Sequence, residues 1–215
     1  MDSQRALGIV LRRQPVMESS LLITWFTREC GKLKTLAKGA RRPKSPLAGR
    51  LDLFYLDELV FLPSRRSDLH LLQECSLENP HARLRESVTA LTAASYAGEL
   101  VDLVSEIEDP QPALFDRLTQ VLAALGADPA AAGVGLLWFE LQVLAVAGWA
   151  PQWESSTAVG RVLQGLAATT GAGAQRVRLS AEQLAGAREM LWRFWDDTVG
   201  QRPRSRRWLE EKIGH

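Results

Sequence analysis

The sequence predicts an α+β protein, a closed five-stranded β-barrel followed by an α-helical domain. Two observations predict it. Five short runs of alternating or β-branched apolar residues fill positions 5–75, and from position 79 onward the apolar spacing changes from two to three or four. Strands followed by helices, with no return to strands, mean that the two kinds of structure are segregated.

The strands follow in order. Residues 5–13 (RALGIVLRR) put Leu7, Ile9 and Leu11 on one face, and Pro15 is expected to stop the run. Residues 21–28 (LLITWFTR) form the second strand, which leads into a tight connection at Glu29, Cys30 and Gly31. The third places Lys32, Lys34 and Lys38 on one face, with Leu36 the apolar exception, and Leu33, Thr35 and Ala37 on the other, before Gly39 ends it. Residues 51–62 (LDLFYLDELVFL) are apolar on both faces, as expected of one long strand in a closed sheet. After a turn at 63–68, residues 69–75 (LHLLQEC) make the fifth. Five short strands, with a loop between the third and fourth, fit a small barrel such as the OB-fold, assigned to residues 1–78.

The helical domain is assigned to residues 79–215. Asn79 is a natural N-cap and Pro80 a natural first helical residue. Leu84, Val88, Leu91, Ser95, Leu103 and Val104 keep helical spacing until Asp109 and Pro110 break it. A second helix is predicted over 113–125. A third, over 130–147, is apolar nearly all round, which marks the central helix of a bundle. A short helix is expected within 160–170, and Ser180 with Gln183 forms a capping box that opens a helix over 181–198. The tail, 202–212, reads as a basic turn followed by a short helix.

Composition excludes more than it assigns. The net charge is only +1, but residues 1–50 hold eleven Lys and Arg against three Asp and Glu, while residues 51–110 hold four against twelve. Cys30 and Cys75 have no metal-ligand spacing and read as reduced, partly buried thiols. No leader peptide is read at the start. The apolar run over 134–150 is broken by Glu140 and Gln142, so it reads as a core helix, and the protein is expected to be intracellular and soluble. Phosphate-loop, GxSxG, HExxH and strand-linked GxGxxG motifs are missing, so no enzyme is expected. His70, His81 and His215 read as surface or structural. The carboxylates of 99–109 read as a solvated acidic face or a patch for a basic partner.

The chemistry concentrates in residues 31–50. Lys32, Lys34 and Lys38, continued by Arg41, Arg42, Lys44 and Arg50 in a loop punctuated by Pro43, Pro46 and Gly49, suit a phosphate backbone. The same pattern also suits a solvated edge whose lysines discourage strand aggregation. Phe26, Phe54, Tyr55 and Phe61 are expected to fill the barrel. Trp25 is a candidate base-stacking platform, against which its same-face neighbour Ile23 argues. A second basic cluster, Arg202, Arg204, Arg206 and Arg207, reads either as a further phosphate or partner contact or as a charged end. Two other classes stay open. One is a protein-interaction adaptor using the barrel and an acidic helix over 81–109, and the other is an OB-type RNA-binding factor.

Several segments, in order, resemble the RecO family of bacterial recombination mediators and DNA repair proteins. They are GIVLRR (8–13), ESSLLITWFTRECGKLKTLAKGARRPKSPLAG (18–49), FELQVLAVAGWAP (139–151) and RPRSRRWLEE (202–211). The pattern FTRE-x-G-K/R-x-x-x-x-A-x-GARR is the most specific part. The resemblance implies an N-terminal OB-fold, a helical C-terminal domain and a non-enzymatic role: binding single- and double-stranded DNA and annealing complementary strands. With RecR as partner, such a protein helps load RecA onto DNA coated by single-strand-binding protein, in the cytoplasm at the nucleoid. Many relatives carry a four-cysteine zinc module after the stretch corresponding to 148–151. Here that place (QWESSTAVGRVLQGLAATTGAG) has no cysteine, so no zinc or other cofactor is expected.

Overall fold

The computed structural model describes residues 2–213, so His215 lies outside it. The chain divides into two compact units. One comprises residues Met1–Ala82 with Ser105–Phe115, and the other Arg83–Val104 with Asp116–His215. The α+β class and the five-stranded closed barrel are both present.

The barrel is built from β1 (Gln4–Val16), β2 (Ser20–Thr27), β3 (Gly31–Ala37), β4 (Leu56–Leu62) and β5 (Leu69–Asn79), in the order β1-β2-β3-β5-β4. All neighbours are antiparallel except β3 and β5, whose parallel pairing spans only Lys34–Leu36 against Leu69–Leu71. β1 reaches both sides because its first half pairs with β4 and its second half with β2, with an irregularity between Val10 and Arg12. β3 alternates buried Leu33, Thr35 and Ala37 with half-exposed Lys32, Lys34 and Leu36, as the period-two pattern requires. Trp25 is fully buried, and its Nε1–H donates to Thr35 Oγ1 (2.9 Å) in the interior, so it is a core residue and offers no stacking platform.

Four expectations are corrected. Pro15 does not stop β1. It pairs with Leu21 beyond the part of β1 that β4 covers, so its missing N–H costs no second ladder. Residues 51–55 are turns and not strand. Leu51 and Phe54 are core side chains, which continues the apolar pattern, but Phe54 adopts φ +64° and its N–H donates to Val10 O (2.9 Å). β5 continues to Asn79, and Asn79 caps no helix. Its side chain accepts from His81 N (2.8 Å) in a tight turn, a 3₁₀ helix follows at Ala82–Glu86, and the first α-helix begins at Val88. Lys38 lies in the turn after β3.

The segment Ser105–Phe115 is part of the barrel unit. Lys32 bridges Ile107 in parallel, Glu108 N–H donates to Lys32 O (2.8 Å), and Phe115 packs on Phe26 with ring centroids 6.1 Å apart. It occupies the flank of β3 just before the pairing with β5 begins. Gly31 lets it approach: φ is +68°, and a Cβ there would meet Asp109 O at 2.2 Å.

The helical unit contains α1 (Val88–Val104), α2 (Pro112–Ala127, whose first residues belong to the barrel unit), α3 (Ala132–Val146), α4 (Ala158–Ala167), α5 (Gly171–Ala174), α6 (Ala181–Val199) and α7 (Arg206–Ile213). α3 packs against α1, α4, α5 and α6, the central place its all-round apolarity predicts. The Ser180–Gln183 capping box is formed at the start of α6. The small residues Gly171–Ala174 form the single turn of α5 under a Thr170 cap. An ionisable pair lies inside this core. Glu140 of α3 is buried, accepts from Tyr96 Oη (2.9 Å), and is pushed up to about 7, mainly by loss of hydration. Burial also raises Tyr96 well above its ordinary range.

Two outcomes follow from this packing. Gly31→Ala forces both a positive φ and a backbone clash, and is expected to cost roughly 2–4 kcal/mol in urea denaturation followed by circular dichroism. A loss under about 0.5 kcal/mol would mean that Ser105–Phe115 does not pack on β3. For Glu140, the folded-state value lies above the ordinary 4.5, so the folded protein holds this proton more tightly than the unfolded chain does. The stability it contributes is full below about pH 4.5 and is lost as pH rises through about 7, up to about 3 kcal/mol. Glu140→Gln should remove that part of the pH dependence, measured as the difference between the two stability–pH curves.

Candidate nucleic-acid interface

The loop 38–55 is pinned, and the cations of its first half point outward. Ala40, Leu47 and Leu51 are buried in the barrel core. Between these anchors the backbone closes tight turns one after another: Arg42 N to Gly39 O (3.0 Å), Ser45 N to Arg42 O (3.0 Å), Ala48 N to Ser45 O (3.1 Å) and Arg50 N to Leu47 O (3.2 Å). Arg41 N donates to Ser19 O (2.9 Å), which ties the loop to the β1–β2 turn. Three apolar side chains thus fasten the loop while Lys38, Arg41, Arg42 and Lys44 stay exposed. Arg41 donates from Nη1 to Glu18 O (3.3 Å), a neutral partner that leaves its charge uncompensated.

The other predicted cations are placed differently. Lys34 Nζ lies 2.8 Å from Asp68 Oδ2, and this ammonium holds the Asp68 carboxyl below its usual range. Lys32 is half-buried beside the acidic stretch Glu106, Glu108 and Asp109, whose backbone its own carbonyl engages. Arg50 turns back along the barrel, donating from Nη1 to Cys75 O (3.1 Å) near the buried Asp57. Burial raises Asp57 to about 7, with the Cys75 thiol and the Arg50 guanidinium partly offsetting it. Asp68 therefore offsets one of the two lysines of β3, whereas the exposed loop cations Lys38, Arg41, Arg42 and Lys44 have no carboxylate beside them among the described residues.

The C-terminal cluster belongs to the helical unit and is divided by burial. Arg204 and Arg207 are exposed, Arg207 lying over the Trp208 ring (5.1 Å). Arg206 is only 4% exposed. It is held by Asp196 (2.6 Å) and lies 4.9 Å over Trp192, so it is a structural cation out of reach of a phosphate. Arg202 shares the same carboxylate (2.5 Å).

The acidic stretch 99–109 is no continuous helical face. Glu99 is half-buried and accepts from Arg204 N (2.8 Å), Ser205 N (2.8 Å) and Ser205 Oγ (2.6 Å), capping the start of α7. Glu108, on the barrel, pairs with His70 (2.9 Å). The expected acidic docking helix over 81–109 is replaced by a 3₁₀ turn, α1 and the barrel-bound segment. His70 and His81 are buried and structural, His81 Nδ1 meeting Phe54 O at 2.7 Å. Among the described residues, no three His, Cys, Asp or Glu side chains converge as a metal site. Sequence reasoning treated Arg65 and Arg66 as part of a turn. The β3–β5 pairing brings that turn beside the lysine strand, which no local pattern signals.

The arrangement can bind polyanions by charge, because the loop offers exposed guanidinium and ammonium groups, and Trp25, the candidate stacking platform, lies in the core. Arg206→Ala should cost the helical unit roughly 3–5 kcal/mol, because it leaves Asp196 with a lost partner, whereas Arg207→Ala should stay within about 0.5 kcal/mol. Urea denaturation of both variants decides it. Equal, small effects would put Arg206 back among the exposed cations.

Comparison with known proteins gives two family matches. Residues 1–81 match the family model described as recombination protein O N terminal, and residues 85–169 the one described as recombination protein O C terminal. Similar relatives include the DNA repair protein RecO of Cyanothece sp., 40% identical over 60% of this chain and 43% of its own length. Those of Salinibacter ruber (39% identical; 68% and 56%) and Thermosynechococcus vestitus (37% identical; 69% and 53%) carry the same name. The chain spans about half the length of these curated relatives.

Proposed function

Because the chain belongs to the RecO family, we propose that it is a DNA-binding protein of recombinational repair that holds single and double strands by their phosphates and anneals complementary strands. One observation carries this reading: Lys38, Arg41, Arg42 and Lys44 are held outward by a loop fastened into an OB-type barrel at Ala40, Leu47 and Leu51. Rigid presentation matters because a cation already fixed in place loses little side-chain freedom beyond its own rotamers on binding. Contacts to phosphate alone make binding sequence-independent and steeply salt-dependent. One such surface lowers the mutual repulsion of two strands, which is what annealing requires. No covalent chemistry is involved.

Family membership alone supports the finer parts of the reading. These are RecR as partner, assistance in loading RecA onto DNA coated by single-strand-binding protein, and a cytoplasmic, nucleoid-associated site of action. The choice of DNA over RNA also rests there, since the exposed loop cations carry no feature aimed at a 2′-hydroxyl.

The test is fluorescence anisotropy of a labelled, mixed-sequence single strand at low and physiological salt, followed by addition of the complement. The protein should bind with a steep salt slope and speed duplex formation. Arg41→Ala with Arg42→Ala should reduce that slope by about 1.4, at about 0.7 per lost phosphate contact on single strands. Unchanged affinity and slope in this variant would remove the loop from the interface, and no binding by the unaltered protein at low salt would refute the DNA reading.

A further inference from the structure

The row of lysines on β3 ends at a second basic loop. β4 and β5 are joined by residues 63–68, and β5 runs parallel to β3 with Leu69 opposite Lys34. In a parallel pair, the residues just before Leu69 lie beside the N-terminal end of β3, opposite to the end from which the 38–55 loop departs. Arg66 is two residues from Asp68, so its Cα lies within about 7 Å of Asp68 Cα even at full extension. Asp68 itself touches Lys34. Arg65 and Arg66 are exposed, and no ion pair restrains either guanidinium among the described residues.

This loop is held at both feet. Ser64 N–H donates to His70 Nδ1 (3.1 Å) at one. A backbone N–H can only donate, so Nδ1 accepts and the imidazole proton sits on Nε2, which donates to Glu108 Oε1 (2.9 Å). At the other foot is the Lys34–Asp68 pair. Between them, Arg66 N donates to Ser64 Oγ (3.2 Å), and the Ser64 and Ser67 hydroxyls lie 3.3 Å apart. Every polar group of the loop with a hydrogen-bond partner thus turns inward or onto the loop itself, which leaves the two arginines facing solvent.

We propose that Arg65 and Arg66 form a second phosphate-contacting arm of the same DNA surface, and that Lys34 is a positioning residue which holds this arm through Asp68 and does not itself meet phosphate. The proposal rests on the DNA-binding reading above and reassigns one of its predicted contacts. An ammonium already 2.8 Å from a carboxylate has its charge compensated, and giving it to a phosphate would strand Asp68 against the incoming anion. The two arms stand at opposite ends of β3, whose backbone from Lys34 to Lys38 spans about 13 Å at 3.3 Å per residue. A strand laid along β3 meets cations at both ends and passes a nearly neutral middle.

The experiment measures salt slopes for a labelled, mixed-sequence single strand by anisotropy, with thermal midpoints recorded for every variant. Arg65→Ala with Arg66→Ala should lower the slope by about 1.4 and leave the midpoint within a degree or two, since both side chains are exposed. Lys34→Ala should weaken binding in the otherwise unaltered protein and add no slope loss in the Arg65/Arg66 double variant, because it acts through the loop they occupy. A retained slope in the double variant overturns the arm. An equal loss of about 0.7 from Lys34→Ala in both backgrounds overturns the positioning role and makes Lys34 a direct contact. Binding that depends on Arg41 and Arg42 but not on Arg65 and Arg66 would remove this proposal and keep the proposed function. Absence of salt-dependent binding by the unaltered protein would remove both.

Discussion

The short parallel contact between β3 and β5 is the constraint on which the barrel unit depends. Only Lys34, Thr35 and Leu36 of β3 face β5, so the closing seam is three residues wide. Below it β3 would present open backbone groups, and the segment Ser105–Phe115 meets one of them where Glu108 N–H reaches Lys32 O. An unpaired buried carbonyl costs about as much as a lost hydrogen bond, so this segment is part of the barrel's closure even though it comes after α1 in the chain. Gly31, with no Cβ to obstruct Asp109, is the sequence feature that allows it.

The same closure redistributes charge. Pairing β5 to β3 sets Asp68 on Lys34, and the closing segment sets Glu106, Glu108 and Asp109 beside Lys32. A strand that reads as a row of ammonium groups is compensated at Lys34, while Lys38, Arg41, Arg42 and Lys44 of the following loop stay exposed and keep their full field. His70 joins these features, with one ring nitrogen on the β4–β5 loop and the other on the closing segment.

The helical unit shows how burial reassigns a charged residue. Arg204, Arg206 and Arg207 are near neighbours in sequence, yet α7 turns Arg206 toward Asp196 and Trp192 and leaves the other two in solvent. Glu99 of α1 reaches 106 residues along the chain to accept from Ser205 N and cap α7. Tyr96 and Glu140 are buried together nearby on α1 and α3, so this unit's stability is coupled to pH through the Glu140 carboxyl.

What the sequence determined by itself is what local chemistry controls. The period of two gave β3 its buried and half-exposed faces, the all-round apolarity of 130–147 marked the central helix, and Ser180 with Gln183 set the start of α6. The outward cations Arg41, Arg42 and Lys44 were also legible, because a loop punctuated by Pro43, Pro46 and Gly49 leaves its charges in water, whereas Lys38 was expected on the strand and the anchors Ala40, Leu47 and Leu51 carried no local signal. Only the tertiary structure decided the rest: that Phe54 bends out of a strand it resembles in composition, that Lys34 meets Asp68, that Arg50 turns to Cys75, and that Arg206 is buried. The physical reason is common to all of them. A charge is compensated, and a backbone group satisfied, by whatever packs beside it, and those partners are distant along the chain, 34 residues for Asp68 from Lys34 and 106 for Ser205 from Glu99.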